Sequence, residues 1–351
     1  MVELGFSMYV SSGKEKNLQI VEKAKNAGLK YAFTSLHIPE ESDIDLKSEM
    51  SEVFEACKAA NISIIADTSP RTVEKLGLKA IDELKDSGLT HLRVDYGFDN
   101  REIVRLSTMF NVVFNSSTLL PAQLKELKSL NVDFTRMKAC HNFYPKPRAG
   151  LSLNKVLTIN ERLSFLGITN MAFVAGDKEF RGPLKQGLVT VEEHRYEDVL
   201  LSSLQLLTMT STDIVLIGDV DVADQTWSKF KDLSEGFVRL KCNLVNDYQY
   251  LNQSHHHDRV DSSDYVIRSV ESRMYATGGI NIEPKSSHLI QKGHILIGNS
   301  AYLRYSGELE IARRELGFES RVNIIGKVDE EYLKYLPYIK DGMGFILEIS
   351  E

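Results

Sequence analysis

Short apolar, β-branched runs and amphipathic stretches alternate along the first two thirds of the chain. Residues 4–10 read as a strand, and 17–28 as a helix closed by Gly28. Further strands are expected at 31–37, 62–68, 91–96, 111–116, 133–140, 171–175 and 213–218. Helices are expected between them at 46–60, 73–87, 101–108, 121–130, 154–166 and 196–209, with a last one at 223–233. The helix at 121 opens on Pro121, whose missing N–H costs nothing in a first turn.

Eight strand–helix units of this length predict an α/β fold, a parallel sheet closed into a (β/α)8 TIM barrel. No Gly-x-Gly-x-x-Gly follows the first strand, so a dinucleotide-binding sheet lacks its fingerprint. Beyond Val238 the pattern changes. Residues 266–275, 294–297 and 322–325 are strand-like, with turns at Gly278-Gly279, Lys292-Gly293 and Gly298-Asn299. Residues 308–316 read as a helix or as a strand and a turn. The expected domains are a catalytic barrel over 1–240 and a small β-rich domain over 241–351, the boundary falling between Gly236 and Gln253.

Two connections stand out. After strand six comes a stiff loop, 141–152, in which Pro145, Pro147 and Gly150 exclude helix while His141, Asn142, Tyr144, Lys146 and Arg148 supply polar and cationic groups. After strand seven, residues 176–195 far exceed the 2–6 residues usual in such a unit, which marks a functional segment. It carries Lys178, Arg181, Lys185, His194 and Arg195. Guanidinium groups match phosphate and carboxylate oxygens in bidentate geometry, so the two loops together suggest an anion pocket rather than ordinary surface charge.

Barrel active sites form at the C-terminal strand ends. Those ends offer His37 with Glu40 and Glu41, then Asp67, Asp95 with Tyr96, Asn115, Asp177, and Asp219 with Asp221. Any one aspartate is as well explained as the N-cap of the next helix; a whole rim of them is not.

The 351-residue chain carries a net charge of -7 at pH 7, which argues against nucleic acid or an anionic membrane as the partner. No apolar run approaches the roughly 20 residues that cross a bilayer, and the N-terminus does not read as a signal peptide. Cys57, Cys140 and Cys242 read as reduced thiols, so the expected location is cytoplasmic. The tract Ser254-His255-His256-His257-Asp258 is read as a polar loop, since consecutive side chains diverge; no metal or cofactor is expected.

The string 141–152, with Arg181-Gly182-Pro183-Leu184 and Glu193-His194-Arg195, resembles glycoside hydrolase family 170, and most of all its staphylococcal member. Supporting stretches are 35–41, 66–70, 93–97 and 292–298, so the similarity spans both domains. Ala149 stands where the family's Pro-x-Thr-Gly-Leu-Ser has threonine. The resemblance implies a barrel followed by a cyclophilin-like β domain. It also implies an intracellular 6-phospho-N-acetylmuramidase that releases N-acetylmuramic acid 6-phosphate and N-acetylglucosamine from a phosphorylated cell-wall disaccharide.

For that chemistry the expected carboxylates are Asp67, Asp95, Asp219 and Glu192. The expected substrate contacts are His37, Tyr96, Asn115, His141, Asn142, Tyr144, Arg148, Arg181, His194 and Arg195. Two readings stand beside this one. An isomerase or lyase acting on a sugar phosphate would use the same pocket, with Lys138 placed for a Schiff base. A non-catalytic phosphosugar-binding protein would need the basic loops but not the acidic rim.

Overall fold

Strands β1 (Glu3–Ser7), β2 (Tyr31–Ser35), β3 (Ser63–Thr68) and β4 (His91–Val94) are buried almost from end to end. So are β5 (Asn111–Asn115), β6 (Lys138–Cys140), β7 (Thr169–Val174) and β8 (Ile214–Ile217). Burial on both faces is what helices outside and side chains inside impose on a barrel. The computed structural model describes residues 2–36, 46–69, 72, 78–94, 97–275, 281–286 and 288–350. In it β1 to β8 form a closed barrel in sequence order, every pair parallel, with Glu3 opposite Ile214 where β8 meets β1. The predicted TIM barrel is therefore present.

The barrel interior is one apolar cluster that includes Tyr31, Phe33, Ile65, Val113, Met171, Phe173 and Leu216. Gly5 is required there: a Cβ would lie 2.4 Å from Leu216 Cδ2 and 2.6 Å from the Tyr31 carbonyl. The outer helices are α1 (Lys14–Asn26), α2 (Leu46–Ala59), α3 (Asn100–Ser107), α4 (Pro121–Ser129), α5 (Leu153–Ser164), α6 (Val199–Met209) and α7 (Asp224–Ser234). Asp99, Ser152 and Asp198 cap α3, α5 and α6 by accepting from backbone N–H groups one turn on.

Two elements differ from expectation. Strand six begins at Lys138 rather than at 133, because the Asp133 side chain accepts from Thr135 N at 3.1 Å and turns 134–136 into a 3-10 segment. Of the helix expected at 73–87, the described part, Ile81–Ser87, is 3-10, and residues 73–77 lie outside the described residues.

The chain parts into two units, Met1–Ser234 and Glu235–Glu351. The second holds β9 (Phe237–Leu244), β10 (His255–His257), β11 (Val266–Arg268), β12 (Leu289–Ile290) and β13 (His294–Gly298). It continues with β14 (Leu309–Ala312), β15 (Gly317–Phe318), β16 (Val322–Val328) and β17 (Gly344–Ile349). Seven of these make one sheet in the order β10-β17-β9-β16-β13-β14-β11, in which only β17 and β9 run parallel. Residues 266–275 are not one strand. Ser269 Oγ accepts from Ser272 N at 3.0 Å and starts the short helix α8 (Val270–Tyr275). Residues 308–316 resolve as the strand β14 and a turn.

His256 is buried between Ser254 and Ser269, while its neighbours His255 and His257 point outward against Phe237. All three cysteines are buried free thiols, pushed up to about 12 by burial. Among the described residues no helix is long and apolar enough to cross a membrane.

Candidate active site

The loops after β6 and β7 are stitched together over the end of the barrel. Tyr144 N donates to the Val189 carbonyl, Leu151 N to Thr190 O and Glu192 N to Leu151 O, each at 2.9 Å. Phe143 turns inward from the first loop, edge-on to Phe33 and Phe173 from the barrel interior, with ring centroids 6.0 and 5.1 Å away. It also joins Tyr9, Leu188 and Val220 in a second apolar cluster. That anchoring holds the loop down.

Glu192 is the bolt between the loops. It accepts from Arg148 N at 2.7 Å and Gly150 N at 2.8 Å, and from Arg195 Nε and Nη2 at 2.8 and 2.6 Å. The paired Arg195 guanidinium, helped by those two amides, holds its carboxyl down to about 2. A Cβ on Gly150 would meet Glu192 Oε2 at 2.7 Å and Glu192 N at 2.8 Å, so only glycine allows this approach. Arg148 sits at φ 68, a strained conformation for a residue with a side chain, and the hydrogen bond its backbone N–H donates to Glu192 holds it there.

This geometry redistributes the expected roles. Glu192, expected as a catalytic carboxylate, is an ionised loop clamp. Arg195, expected at the substrate, is buried and spends its donors on Glu192 and on the Gly187 carbonyl at 2.8 Å. Asp219 is 1 % exposed and accepts from three amides, Gly176, Arg181 and Leu188, at 2.9 to 3.0 Å. Burial raises its pKa even so, and its contacts tie down the start and middle of the long loop. His141 is fully buried, pairs with Asn160 of α5 at 2.8 Å, and is pushed down to about 4 by burial. His194 is likewise buried and paired with Gln205. Both hold loops to helices through Nε2.

What the rim does bring together is a charged relay on neighbouring strands. Arg93, from β4, donates through Nη1 to Asp67 Oδ1 at 2.8 Å and through Nη2 to Asn142 Oδ1 at 2.5 Å. Arg93 and Asp67 are both buried, so this ion pair sits in a low dielectric and fixes the carboxylate's direction. Tyr144 shares a hydrogen bond of 3.2 Å with Ser117, and Asn115 accepts from Ser117 N at 3.0 Å. Asp177 caps α7, accepting from Ala223 N and the Thr226 hydroxyl at 2.6 Å. Asp221 is ringed by Lys16, Lys23 and Lys178.

Two of the three expected arginines remain available for a ligand. Arg181 lies 4.6 Å above the Tyr9 ring, and its Nε is buried with no hydrogen-bond partner. Arg148 is exposed and, with Lys146, Pro147 and Ala149, walls an open hollow of about 550 Å³. His37, Asp95 and Tyr96 lie outside the described residues.

Sequence reasoning missed Arg93 and Tyr9. Arg93 stands inside an apolar strand run, Leu92-Arg93-Val94, and an interior arginine there has no structural purpose without a carboxylate beside it. Nothing in the sequence singles out Tyr9.

The family description "6-phospho-N-acetylmuramidase, N-terminal" matches residues 4–232, and "6-phospho-N-acetylmuramidase, C-terminal" matches residues 238–348. The chain belongs to the 6-phospho-N-acetylmuramidase family. That makes it a glycoside hydrolase, as the sequence resemblance implied. It is similar over 99% of its length to 97% of a conserved Enterococcus faecalis protein of unknown function, with 27% identity and a TM-score of 0.77. An uncharacterized B. cereus protein matches with 26% identity and a TM-score of 0.75, covering 100% of both chains. No curated protein matches the chain.

Membership in a 6-phospho-N-acetylmuramidase family also fits where Lys138 lies. It is the first residue of β6, at the end of the strand opposite the rim, with its ammonium 5.8 Å from the centre of the Tyr31 ring. A Schiff-base reaction at the catalytic end has no lysine there among the barrel-strand residues described.

Proposed function

We propose that the chain is an intracellular exo-glycosidase acting on 6-phospho-N-acetylmuramyl-(β1,4)-N-acetylglucosamine. Water cleaves the glycosidic bond, giving N-acetylmuramic acid 6-phosphate and N-acetylglucosamine in the recycling of cell-wall sugars. The observation that carries this reading is the family match across both units. The substrate bears a phosphate at C6 and a lactyl carboxylate at C3, so an acidic protein must offer it localised cations. Arg181 and Arg148 are assigned to those anions: Arg181 Nε is buried with no hydrogen-bond partner, its guanidinium acting on Asp219 only through space, and Arg148 is exposed at the open hollow.

Of the four expected carboxylates, Asp219 and Glu192 are committed to backbone amides. Asp67 and Asp95 are left to share the work. We assign to Asp67, paired with Arg93 and positioned with Asn142, the stabilisation of the positive charge that develops at C1. Asp95 is assigned the proton given to the leaving oxygen of N-acetylglucosamine as the C1–O bond breaks.

Turnover of the phosphorylated and unphosphorylated disaccharides, measured side by side, tests the proposal. A preference of about a hundredfold or more in kcat/KM for the phosphorylated sugar is expected, since the unphosphorylated one forfeits charge-assisted contacts to the guanidinium groups. Equal rates on both would remove the phosphate site.

A further inference from the structure

The second unit holds a cavity that neither the barrel chemistry nor the sheet's packing explains. It encloses about 300 Å³ and is lined by Arg259, Arg268, Tyr302, Tyr305, Glu308 and Glu310, among others. Its volume is at the lower edge of what holds a small molecule, about 300–1,000 Å³. All of these residues lie within the second unit.

Register explains why two opposite charges meet in it. Arg268 on β11 is paired with Glu310 on β14, so the two side chains leave the same face of the sheet. They form no ion pair. Arg268 turns to Asp261 instead, its Nη2 lying 3.4 Å from Oδ2, and its buried Nε has no partner. The Glu310 carboxyl has no hydrogen bond or ion pair with any described residue, and burial together with the nearby Glu308 pushes it up to about 7 against the opposing charge of Arg268. A partly buried acid left without a partner costs stability, and proteins retain that cost chiefly where a ligand meets the group.

The other groups at the wall are already matched. Glu308 is paired with Arg273, and Arg259 binds Asp261 through Nε at 2.9 Å. The two tyrosines are held by guanidinium groups, Tyr302 by Arg321 at 4.7 Å and Tyr305 by Arg273 and Arg304 at 4.8 Å. Two carboxylates and two guanidinium groups line the cavity, so an anion would face the first pair and a cation the second. What is left unmet is one acceptor, the Glu310 carboxyl, and one donor, Arg268 Nε. A hydroxyl group satisfies both kinds at once.

We propose that this cavity is a binding site for a neutral monosaccharide, with Glu310 accepting from adjacent hydroxyls and Arg268 Nε donating to one of them.

Ligand-observed NMR and titration calorimetry on the full chain test this, with N-acetylglucosamine and glucose as probes and glucosamine and glucose 6-phosphate as charged comparators. Glu310→Gln keeps the shape of the side chain and removes a charge that has no partner, so it is expected to fold with an unchanged or higher Tm. The neutral sugars are expected to bind the parent protein, and to bind Glu310→Gln and Arg268→Met at least tenfold more weakly. Binding that survives both second-unit variants would place the sugar outside this cavity and overturn the proposal. So would an absence of neutral-sugar binding. Tighter binding of glucosamine or of the phosphate ester, lost in Glu310→Gln, would replace the neutral ligand with a charged one and overturn it equally.

Discussion

If Glu192 bolts two loops together, replacing it with glutamine should cost stability and positioning rather than chemistry. Its carboxyl falls from 4.5 to about 2, chiefly through the hydrogen-bonded Arg195. At 1.36 kcal/mol per unit that shift is worth at most ~3.4 kcal/mol. Solvent reaches 27 % of the side chain, so screening brings the expected loss in Glu192→Gln to ~1.5 kcal/mol. In a unit of this size that is a fall in Tm of about 3–6 °C.

The folded-state pKa is depressed, so the stabilisation is complete above the unfolded value and is lost as pH falls towards the folded one. The gap between parent and variant should therefore be full at pH 7 and smaller by roughly two fifths at pH 3.5. Thermal unfolding at the two pH values measures this directly. Steady-state kinetics completes the assay: KM should rise several-fold, since Arg148 and Gly150 lose their anchor, while kcat falls less. A variant as stable as the parent with kcat reduced a thousandfold would refute the clamp and restore Glu192 as a catalytic acid.

Asp67→Asn should lower kcat by about 10²–10⁴-fold with little change in substrate affinity, read from turnover and direct binding. Arg93→Met should do the same and also destabilise by about 3 kcal/mol in denaturant unfolding, because it strips the buried Asp67 of its cation. Gly150→Ala must push a Cβ into Glu192, and should cost about 1–3 kcal/mol and raise KM. Arg181→Met should erase most of the preference for the phosphorylated disaccharide while leaving turnover of the unphosphorylated one unchanged; an intact preference would remove Arg181 from the anion site.

The barrel was legible because its signal is local. Eight apolar runs interleaved with helix-like stretches have few other ways to bury themselves, and the prediction named all eight strands. The second unit was legible only in part. β9 shows a clean alternation, with Val238, Leu240, Cys242 and Leu244 buried, yet its place inside the sheet depends on β17, about a hundred residues later. Strand six was drawn too long because Asp133 can bond its own backbone, and a competition between two local hydrogen bonds is not visible in a hydropathy pattern.

The sequence by itself determined which residues stand at the strand ends and which two loops carry the cations, because both follow from position along the chain. The family resemblance was equally a property of the string. Only the tertiary structure decided what each polar group does there. Glu192 meets the amide of Arg148, 44 positions away, and Asp219 meets that of Gly176, 43 positions away. Those contacts spend the oxygens of two expected catalytic acids, and Arg93 brings Asp67 and Asn142 together in a way their spacing does not announce. A carboxylate's role is set by the donors that reach it, and in a barrel those donors come from strands and loops far apart in sequence.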